Sequence, residues 1–189
     1  ALEHELALQV EALGRGQPLL QLHFGGGTPT FLSDAELDRV MRALRDAFTF
    51  LEGAEVSIEV DPRTVSRDRL AHLARLGFNR LSFGVQDFNP LVQKAVHRVQ
   101  PYEQVAQLMQ ASRELGFESI NADLIHGLPL QTPDSLARTV EQMGSLRPDR
   151  IARAAYGPLP RRVKPQRRID ADQLPTPAQR GTMLSRAIT

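Results

Sequence analysis

Three consecutive glycines, residues 25–27, directly follow an apolar run and are themselves followed by Thr28. The run at residues 19–24 predicts a short buried strand, and Ser33 with Glu36 three residues later predicts a capping box at a helix start. Because glycine has no Cβ, this loop would let the backbone approach a ligand closely at the carboxyl end of a strand. It has neither the G-x-G-x-x-G spacing of a dinucleotide loop nor the Gly-Lys-Ser/Thr of a P-loop. A tight turn without a ligand is therefore the alternative interpretation.

Strand and helix patterns alternate along the rest of the chain, which predicts βαβ units and a parallel sheet. The interval between strands is about thirty residues, which is typical of a (β/α) barrel. Five strands are too few to close a barrel of eight, so the prediction is one incomplete α/β barrel over residues 1–189. A doubly wound open sheet is the alternative. The predicted strands cover residues 19–24, 55–60, 80–85, 118–125 and 149–155.

Composition excludes several classes of function. The formal net charge is +1, so no global field indicates a nucleic-acid or membrane partner, and no apolar run approaches the roughly 18 residues of a spanning helix. The absence of cysteine excludes disulfides, and the cytoplasm is the expected location. The chain begins with Ala1 inside a helical pattern and ends inside another. We therefore expect it to be a piece of a longer protein.

Polar residues follow every predicted strand, and intervals of about thirty residues would place them around one rim of a barrel. A carboxylate at that rim could accept hydrogen bonds from ribose hydroxyls, while amide and backbone groups bind an adenine edge. Taken singly, each residue has a purely structural alternative, such as pairing with an arginine or capping a helix. These rim residues are Thr28, Glu59, Gln86, Asp123 and Tyr156.

Other polar residues carry weaker signals. His23 precedes the glycines within a predicted strand, where a hydrogen-bonded core residue is the simplest interpretation, whereas His97 and His126 lie near the predicted rim. No histidine or carboxylate spacing predicts a metal site, and no nucleophile elbow is present. Five cations between residues 161 and 168 predict a solvated loop, or a site for a substrate bearing several carboxylates.

These segments together resemble the radical S-adenosylmethionine (SAM) enzymes, and among them the oxygen-independent coproporphyrinogen III oxidase family of haem biosynthesis. The resemblance extends from about residue 20 to residue 189. Its motifs are HFGGGTPTFL at 23–32, SIEVDPR at 57–63, FNRLSFGVQDFN at 78–89, VHRVQ at 96–100, DLIHGLP at 123–129 and LPTPAQR at 174–180.

The resemblance implies a partial, six-stranded TIM-like barrel, a [4Fe–4S] cluster on a CxxxCxxC loop, and two SAM molecules. A SAM-derived 5′-deoxyadenosyl radical would drive oxidative decarboxylation of two propionates of coproporphyrinogen III to vinyl groups, giving protoporphyrinogen IX. An electron donor such as a flavodoxin or ferredoxin and a monomeric state are implied as well. Glu59 would hold ribose hydroxyls, and Arg98 would offer a guanidinium fork to a carboxylate. The implied SAM-binding positions are Gly26, Gly27, Thr28, Glu59, Gln86, Arg98, Asp123 and Gly157.

The chain departs from this family in two places. It has no cysteine and hence no cluster ligands, so we expect the first strand, the cluster loop and a C-terminal domain to lie outside it, and expect the 189 residues alone to be inactive. Arg153 and Pro158 interrupt the segment around Gly157. Two alternative functions stay open. One is that of the related haem chaperones, whose branch shows other residues at 59–62 and 86–88, and the other is that of a barrel fragment that catalyses no reaction.

Overall fold

A computed structural model describes residues 1–162 and 164–186, except for the side chain of Pro165. Helices and strands alternate along the chain as predicted. Within the described residues the strands are β1 (Gln17–Phe24), β2 (Phe48–Val60), β3 (Arg80–Gln86), β4 (Ser119–His126) and β5 (Arg150–Ala155). The helices are α1 (Leu2–Leu13), α2 (Asp34–Ala47), α3 (Arg67–Arg75), α4 (Pro90–Ala95), α5 (Tyr102–Glu114), α6 (Pro133–Ser145) and α7 (Pro177–Arg186). Short 3₁₀ segments cover Pro29–Phe31, Lys164–Arg168 and Ala171–Gln173.

The five strands form one parallel sheet in the order β1-β2-β3-β4-β5. Each crossover therefore moves to the next strand in the same direction, as in the wall of a (β/α) barrel. A doubly wound sheet would reverse direction at a switch point and cover both faces with helices. The partial-barrel prediction is confirmed, and the open-sheet alternative is wrong.

Among the described residues, helices pack against one face of this sheet. From Ala54 onward in β2, and throughout β3 and β4, every second residue is buried, and most of these residues pack in one cluster with apolar residues of α2, α3, α5 and α6. Phe83, Ile58 and Ile120 lie at the centre of that cluster with at most 1 % exposure. The alternate residues on the other face are mostly polar and half-buried; they include Ser57, Glu59, Ser82, Asn121 and Asp123.

Local signals place most helix starts correctly. Ser33 and Glu36 form the predicted capping box of α2, and Asn89 caps α4 through a 2.9 Å bond from the amide of Leu91. Proline favours the first position of a helix, which predicts that α5 begins at Pro101, but Pro101 is its N-cap. The apolar residues at positions 37, 40, 41, 44 and 48 follow helical spacing and predict that α2 extends to Phe48. That prediction is wrong, because Phe48 begins β2 and pairs with Gln17 of β1.

A buried carboxyl, Asp87, joins the loop after β3 to the loop after β4. Its side chain is 1 % exposed and accepts hydrogen bonds from the amide of Asn89 (2.6 Å), the hydroxyl of Thr139 (2.9 Å) and Nε2 of Gln131 (2.6 Å). Oε1 of Gln131 in turn accepts the backbone amide of Gly127 at 2.6 Å. Burial raises the pKa of Asp87 above its ordinary value, and these donors oppose that shift.

No helix among the described residues is both long and apolar enough to cross a bilayer.

Replacing Gln131 with Met should lower the free energy of unfolding at pH 7 by about 2–4 kcal/mol. The thioether keeps the size of the side chain but removes a donor from the Asp87 carboxylate and the acceptor of the Gly127 amide. Urea unfolding monitored by circular dichroism measures the loss. Gln142→Met is the matched control, because Gln142 is exposed on α6, and it should change stability by no more than about 0.5 kcal/mol. Equal stabilities of the two variants would contradict the proposed strength of this network.

The penalty of Gln131→Met should also grow as the pH rises. A group whose pKa is raised by folding contributes stability below its unfolded pKa, and that contribution is lost as the pH rises through the folded value. Losing a donor raises the pKa of Asp87 further. The difference in free energy of unfolding between variant and wild type should therefore widen as the pH rises above 3.8, the ordinary pKa of an aspartate. Urea midpoints between pH 4 and pH 8 test this; a constant difference would exclude Asp87 as its source.

Candidate functional site

A polar cavity of about 160 Å³ opens at the carboxyl ends of β1 to β4. Six of the eight predicted ligand-binding positions line it. The arrangement follows from the strand order, since parallel neighbours end at one rim of the sheet. The lining residues are Gly27, Thr28, Pro29, Glu59, Val60, Asp61, Gly84, Gln86, Arg98 and Asp123.

The glycine loop after β1 forms one wall. Gly26 and Gly27 have φ angles of +77° and +63°, a region that side chains strongly disfavour, and the amide of Gly26 donates to Oε2 of Glu59 at 3.1 Å. Gly25 differs from them: a Cβ there would lie 2.5 Å from Nε2 of His23, so the imidazole would have to move. Gly25 thus lies close to side chains of the protein itself, whereas close approach of the loop to a ligand stays a prediction.

Asp61, at the end of β2, holds two arginines beside the cavity. Its carboxylate accepts Nε of Arg63 at 3.0 Å and Nη2 of Arg63 at 2.7 Å, and it lies 3.3 Å from Nη2 of Arg98. Burial opposes its charged form, but the Arg63 hydrogen bonds and the Arg98 charge outweigh burial and hold the pKa of Asp61 below its ordinary value. Sequence reasoning missed Asp61, although the Asp61-Pro62-Arg63 segment after a strand was a signal for it.

Arg98 reaches the cavity from the loop between α4 and α5. Its Nη2 donates to the carbonyl of Gly84 at 2.8 Å, while its Nε is buried and has no partner within the described part of the chain. Burial lowers the pKa of Arg98, and the charge of Asp61 opposes that shift. Gln93 and Gln100 hold this loop in place, since Nε2 of Gln93 donates to the Gln100 carbonyl at 2.8 Å. The contacts with Asp61 and Gly84 therefore fix the guanidinium beside the cavity.

Asp123 and Gln86 form the wall on the side of β3 and β4. The carboxylate of Asp123 accepts hydrogen bonds from the hydroxyl of Ser82 at 2.7 Å and from Nδ2 of Asn121 at 2.7 Å. Each of its two oxygens is therefore held by a hydrogen bond. Gln86 has a φ of +69°, and the pairing of β3 with β4 shifts register there. The strained backbone turns its amide side chain to the cavity.

His23 is not the core residue that its place in a strand indicates. Its side chain is 56 % exposed on the polar face of the sheet, where Nδ1 lies 2.8 Å from the hydroxyl of Ser57 and Nε2 lies 3.6 Å from Oε1 of Glu59. Only its hydrogen bonding matches the sequence interpretation.

Several candidates lie apart from the cavity lining. Gly157 is exposed in the segment after β5, and its carbonyl accepts Nε2 of Gln166 at 3.3 Å. His126 shares the buried, helix-facing side of β4 with Leu124, and His97 is exposed. The described cations between residues 161 and 168, and Tyr156, also lie outside the lining. Gly157 and Tyr156 thus do not join the rim cluster in this structure.

Curated relatives match almost the whole chain but are much longer. The oxygen-independent coproporphyrinogen III oxidase of Pseudomonas aeruginosa is 49 % identical over 98 % of this chain, which spans 41 % of that protein. The oxidase of the same name from Helicobacter pylori strain J99 is 42 % identical over 100 % of the chain and 41 % of its own length.

A solved structure has the same fold. Coproporphyrinogen III oxidase from Escherichia coli, described as a radical SAM enzyme, superposes with a TM-score of 0.93 at 47 % identity. The match covers 99 % of this chain and 43 % of that one. The present chain therefore corresponds to less than half of the solved protein.

The family model of the radical SAM superfamily matches residues 2–143. That range includes β1 to β4 and every residue that lines the polar cavity. With a parallel partial barrel and a rim of converging polar groups also in place, the chain belongs to the radical SAM superfamily.

Proposed function

We propose that this chain is the SAM-binding part of an oxygen-independent coproporphyrinogen III oxidase. The single observation that carries the proposal is the cavity, which combines three carboxylates, an amide and a half-buried guanidinium at one rim. The names of the relatives support the substrate assignment. The whole protein would convert two propionate groups of coproporphyrinogen III to vinyl groups.

The donors and acceptors of the cavity fit SAM. Its sulfonium and ammonium groups are cations that Glu59 and Asp123 would attract, and its carboxylate would suit the guanidinium of Arg98. Glu59, oriented by the Gly26 amide, has the geometry to accept ribose hydroxyls. SAM bound by these residues would supply radical hydrogen-abstraction chemistry to the whole protein.

The residues of this chain would bind and orient that ligand. The Asp61–Arg63 pair and the Gly84 carbonyl prevent Arg98 from moving away from the cavity, so little entropy is lost when a carboxylate binds. Ser82 and Asn121 hold Asp123 in the same way. A fixed site of this kind can place one atom of a ligand reproducibly against a substrate.

The chain does not fit the iron–sulfur cluster of the superfamily. Such clusters are held by cysteine thiolates, and the sequence contains no cysteine. No group of histidine and carboxylate side chains within the described residues could hold a metal ion either. We therefore assign no step of a reaction to a cluster held by these residues.

Four expectations that come from the resemblance stay predictions. They are a second SAM molecule, a flavodoxin or ferredoxin as electron donor, a monomeric state, and further domains beyond the 189 residues. Gly157 also remains a proposed SAM contact, one that needs the segment after β5 to approach the cavity more closely.

Replacing Glu59 with Gln should weaken binding of S-adenosylhomocysteine about tenfold, because a charged acceptor of ligand hydroxyls is lost. A nuclear magnetic resonance titration of the 189-residue chain measures the dissociation constant. Glu52→Gln is the matched control, since Glu52 is exposed in the same strand but seven residues before the rim. Its affinity should equal that of the wild type. An unchanged affinity of the Glu59 variant would show that this carboxylate does not contact the ligand.

The 189-residue chain should produce no 5′-deoxyadenosine from SAM after anaerobic iron–sulfur reconstitution, because it has no thiolate to hold a cluster. Liquid chromatography with a strong reductant present measures the product. The full-length oxidase from Pseudomonas aeruginosa, treated identically, is the positive control. Turnover by the chain alone would show that cluster chemistry does not need cysteine here.

A further inference from the structure

The connection from β5 to α7, residues 157–173, is here called the basic segment, and it begins at the same rim of the sheet as the cavity. The amide of Tyr156, just before it, donates to the carbonyl of His126 at the carboxyl end of β4 at 2.8 Å. At the other end, the carbonyl of Gln173 accepts the amide of Leu130 in the loop after β4 at 2.8 Å. Both ends are therefore anchored at the carboxyl ends of the strands, where the loops of barrels bind ligands.

The basic segment concentrates positive charge in a chain that is otherwise close to neutral. Its sequence holds five cations and two carboxylates, whereas the net charge of the whole chain is +1. All five cations are exposed, and within the described residues none of them forms an ion pair. They are Arg161, Arg162, Lys164, Arg167 and Arg168.

Hydrogen bonds within the basic segment hold its backbone in one arrangement. The side chain of Gln166 accepts the amide of Leu159 through Oε1, and its Nε2 donates to the carbonyl of Gly157 at 3.3 Å. Nε of Arg167 donates to the carbonyl of Pro160 at 3.0 Å, and its terminal nitrogens have no partner in the described part of the chain. The cations are thus presented by an ordered loop, which reduces the entropy lost when a ligand binds.

The cavity on this rim carries the opposite charge. The carboxylates of Glu59, Asp61 and Asp123 line it, against the single guanidinium of Arg98. Even with Arg63, which pairs with Asp61, the carboxylates outnumber the cations. Such a lining attracts a cationic ligand and repels an anionic one. A substrate with several carboxylates would therefore need cations on the rim outside the cavity.

We propose that the basic segment binds carboxylates of a polycarboxylate substrate at the mouth of the partial barrel. The inference rests on the proposed function, which supplies a substrate with several propionates, and it adds the residues that recognise the propionates that do not react. Arginine presents two N–H groups in one plane to a carboxylate. Lys164 and Arg167 are three residues apart in a 3₁₀ helix, so they project from the same side and can share one ligand.

The exposure of these cations favours a ligand with several carboxylates. One exposed ion pair changes an equilibrium constant by only about twofold to fivefold, and salt screens it. A monocarboxylate would bind weakly, whereas the effects of several pairs multiply. A nucleic acid is disfavoured, because it binds a broad basic surface and this chain is almost neutral as a whole.

The test measures binding of coproporphyrin III, a stable oxidised tetracarboxylate, to the 189-residue chain by fluorescence titration. Mesoporphyrin IX, a dicarboxylate with the same macrocycle, measures how much the ring contributes. Arg161→Gln combined with Arg162→Gln removes two cations of the basic segment. Arg42→Gln combined with Arg138→Gln is the matched control, because it removes the same charge from exposed positions on α2 and α6. Nuclear magnetic resonance titration with S-adenosylhomocysteine reports on the cavity of each protein.

At about 50 mM salt the wild type should bind coproporphyrin III about tenfold more tightly than mesoporphyrin IX. That preference should fall to about twofold at about 1 M salt, where charges are screened within a few ångströms. The Arg161/Arg162 variant should show about a twofold preference at low salt, with its affinity for S-adenosylhomocysteine unchanged. The control variant should retain the preference of the wild type.

The outcomes separate this inference from the proposed function. A chain that binds S-adenosylhomocysteine but does not prefer the tetracarboxylate would overturn the role of the basic segment alone. A tenfold preference that survives in the Arg161/Arg162 variant would do the same. Binding of neither S-adenosylhomocysteine nor coproporphyrin III would overturn both proposals. Tighter binding of a single-stranded oligonucleotide, lost in the same variant, would assign the segment to a nucleic acid and overturn the inference.

Discussion

Burial of one face of a parallel sheet is the constraint on which this structure depends. The helices pack against β2, β3 and β4 from one side, so alternate residues must be apolar and the others are free to be polar. Sequential strand order then brings the polar ends of neighbouring strands to one rim. The cavity exists because Glu59, Gln86 and Asp123 all fall on the polar face of their strands, opposite the face that the helices cover.

Two polar networks fix the loops that the sheet alone would leave mobile. The buried Asp87 connects the loop after β3 to Gln131 and Gly127 in the loop after β4. Asp61 and the Gly84 carbonyl hold Arg98, whose loop is closed by Gln93. Charged and amide groups are costly to bury unless they are hydrogen-bonded, so these networks stabilise one arrangement of the rim over others.

The predictable part of the molecule comes from local rules. Caps such as Ser33 and Asn89, and the alternation in the second half of β2 and in β3 and β4, depend on residues close in sequence. The strand ends lie within one residue of their predicted positions, whereas β2 begins seven residues before its predicted start. The error at Phe48 has a non-local cause, because pairing with β1 overrides helical spacing. The burial of Asp87 and the exposure of His23 also depend on distant partners.

The amino-acid sequence by itself determined that the chain forms alternating strands and helices, that its strand ends carry polar groups, and that it has no cysteine to hold a cluster. Strand order, the pairing of Arg98 with Asp61, and the opposition of His23 to Glu59 were decided only by the tertiary structure. The physical reason is distance along the chain. Hydrophobic periodicity and caps act over a few residues, whereas these contacts join groups more than thirty residues apart and form only when the helices bury one face of the sheet.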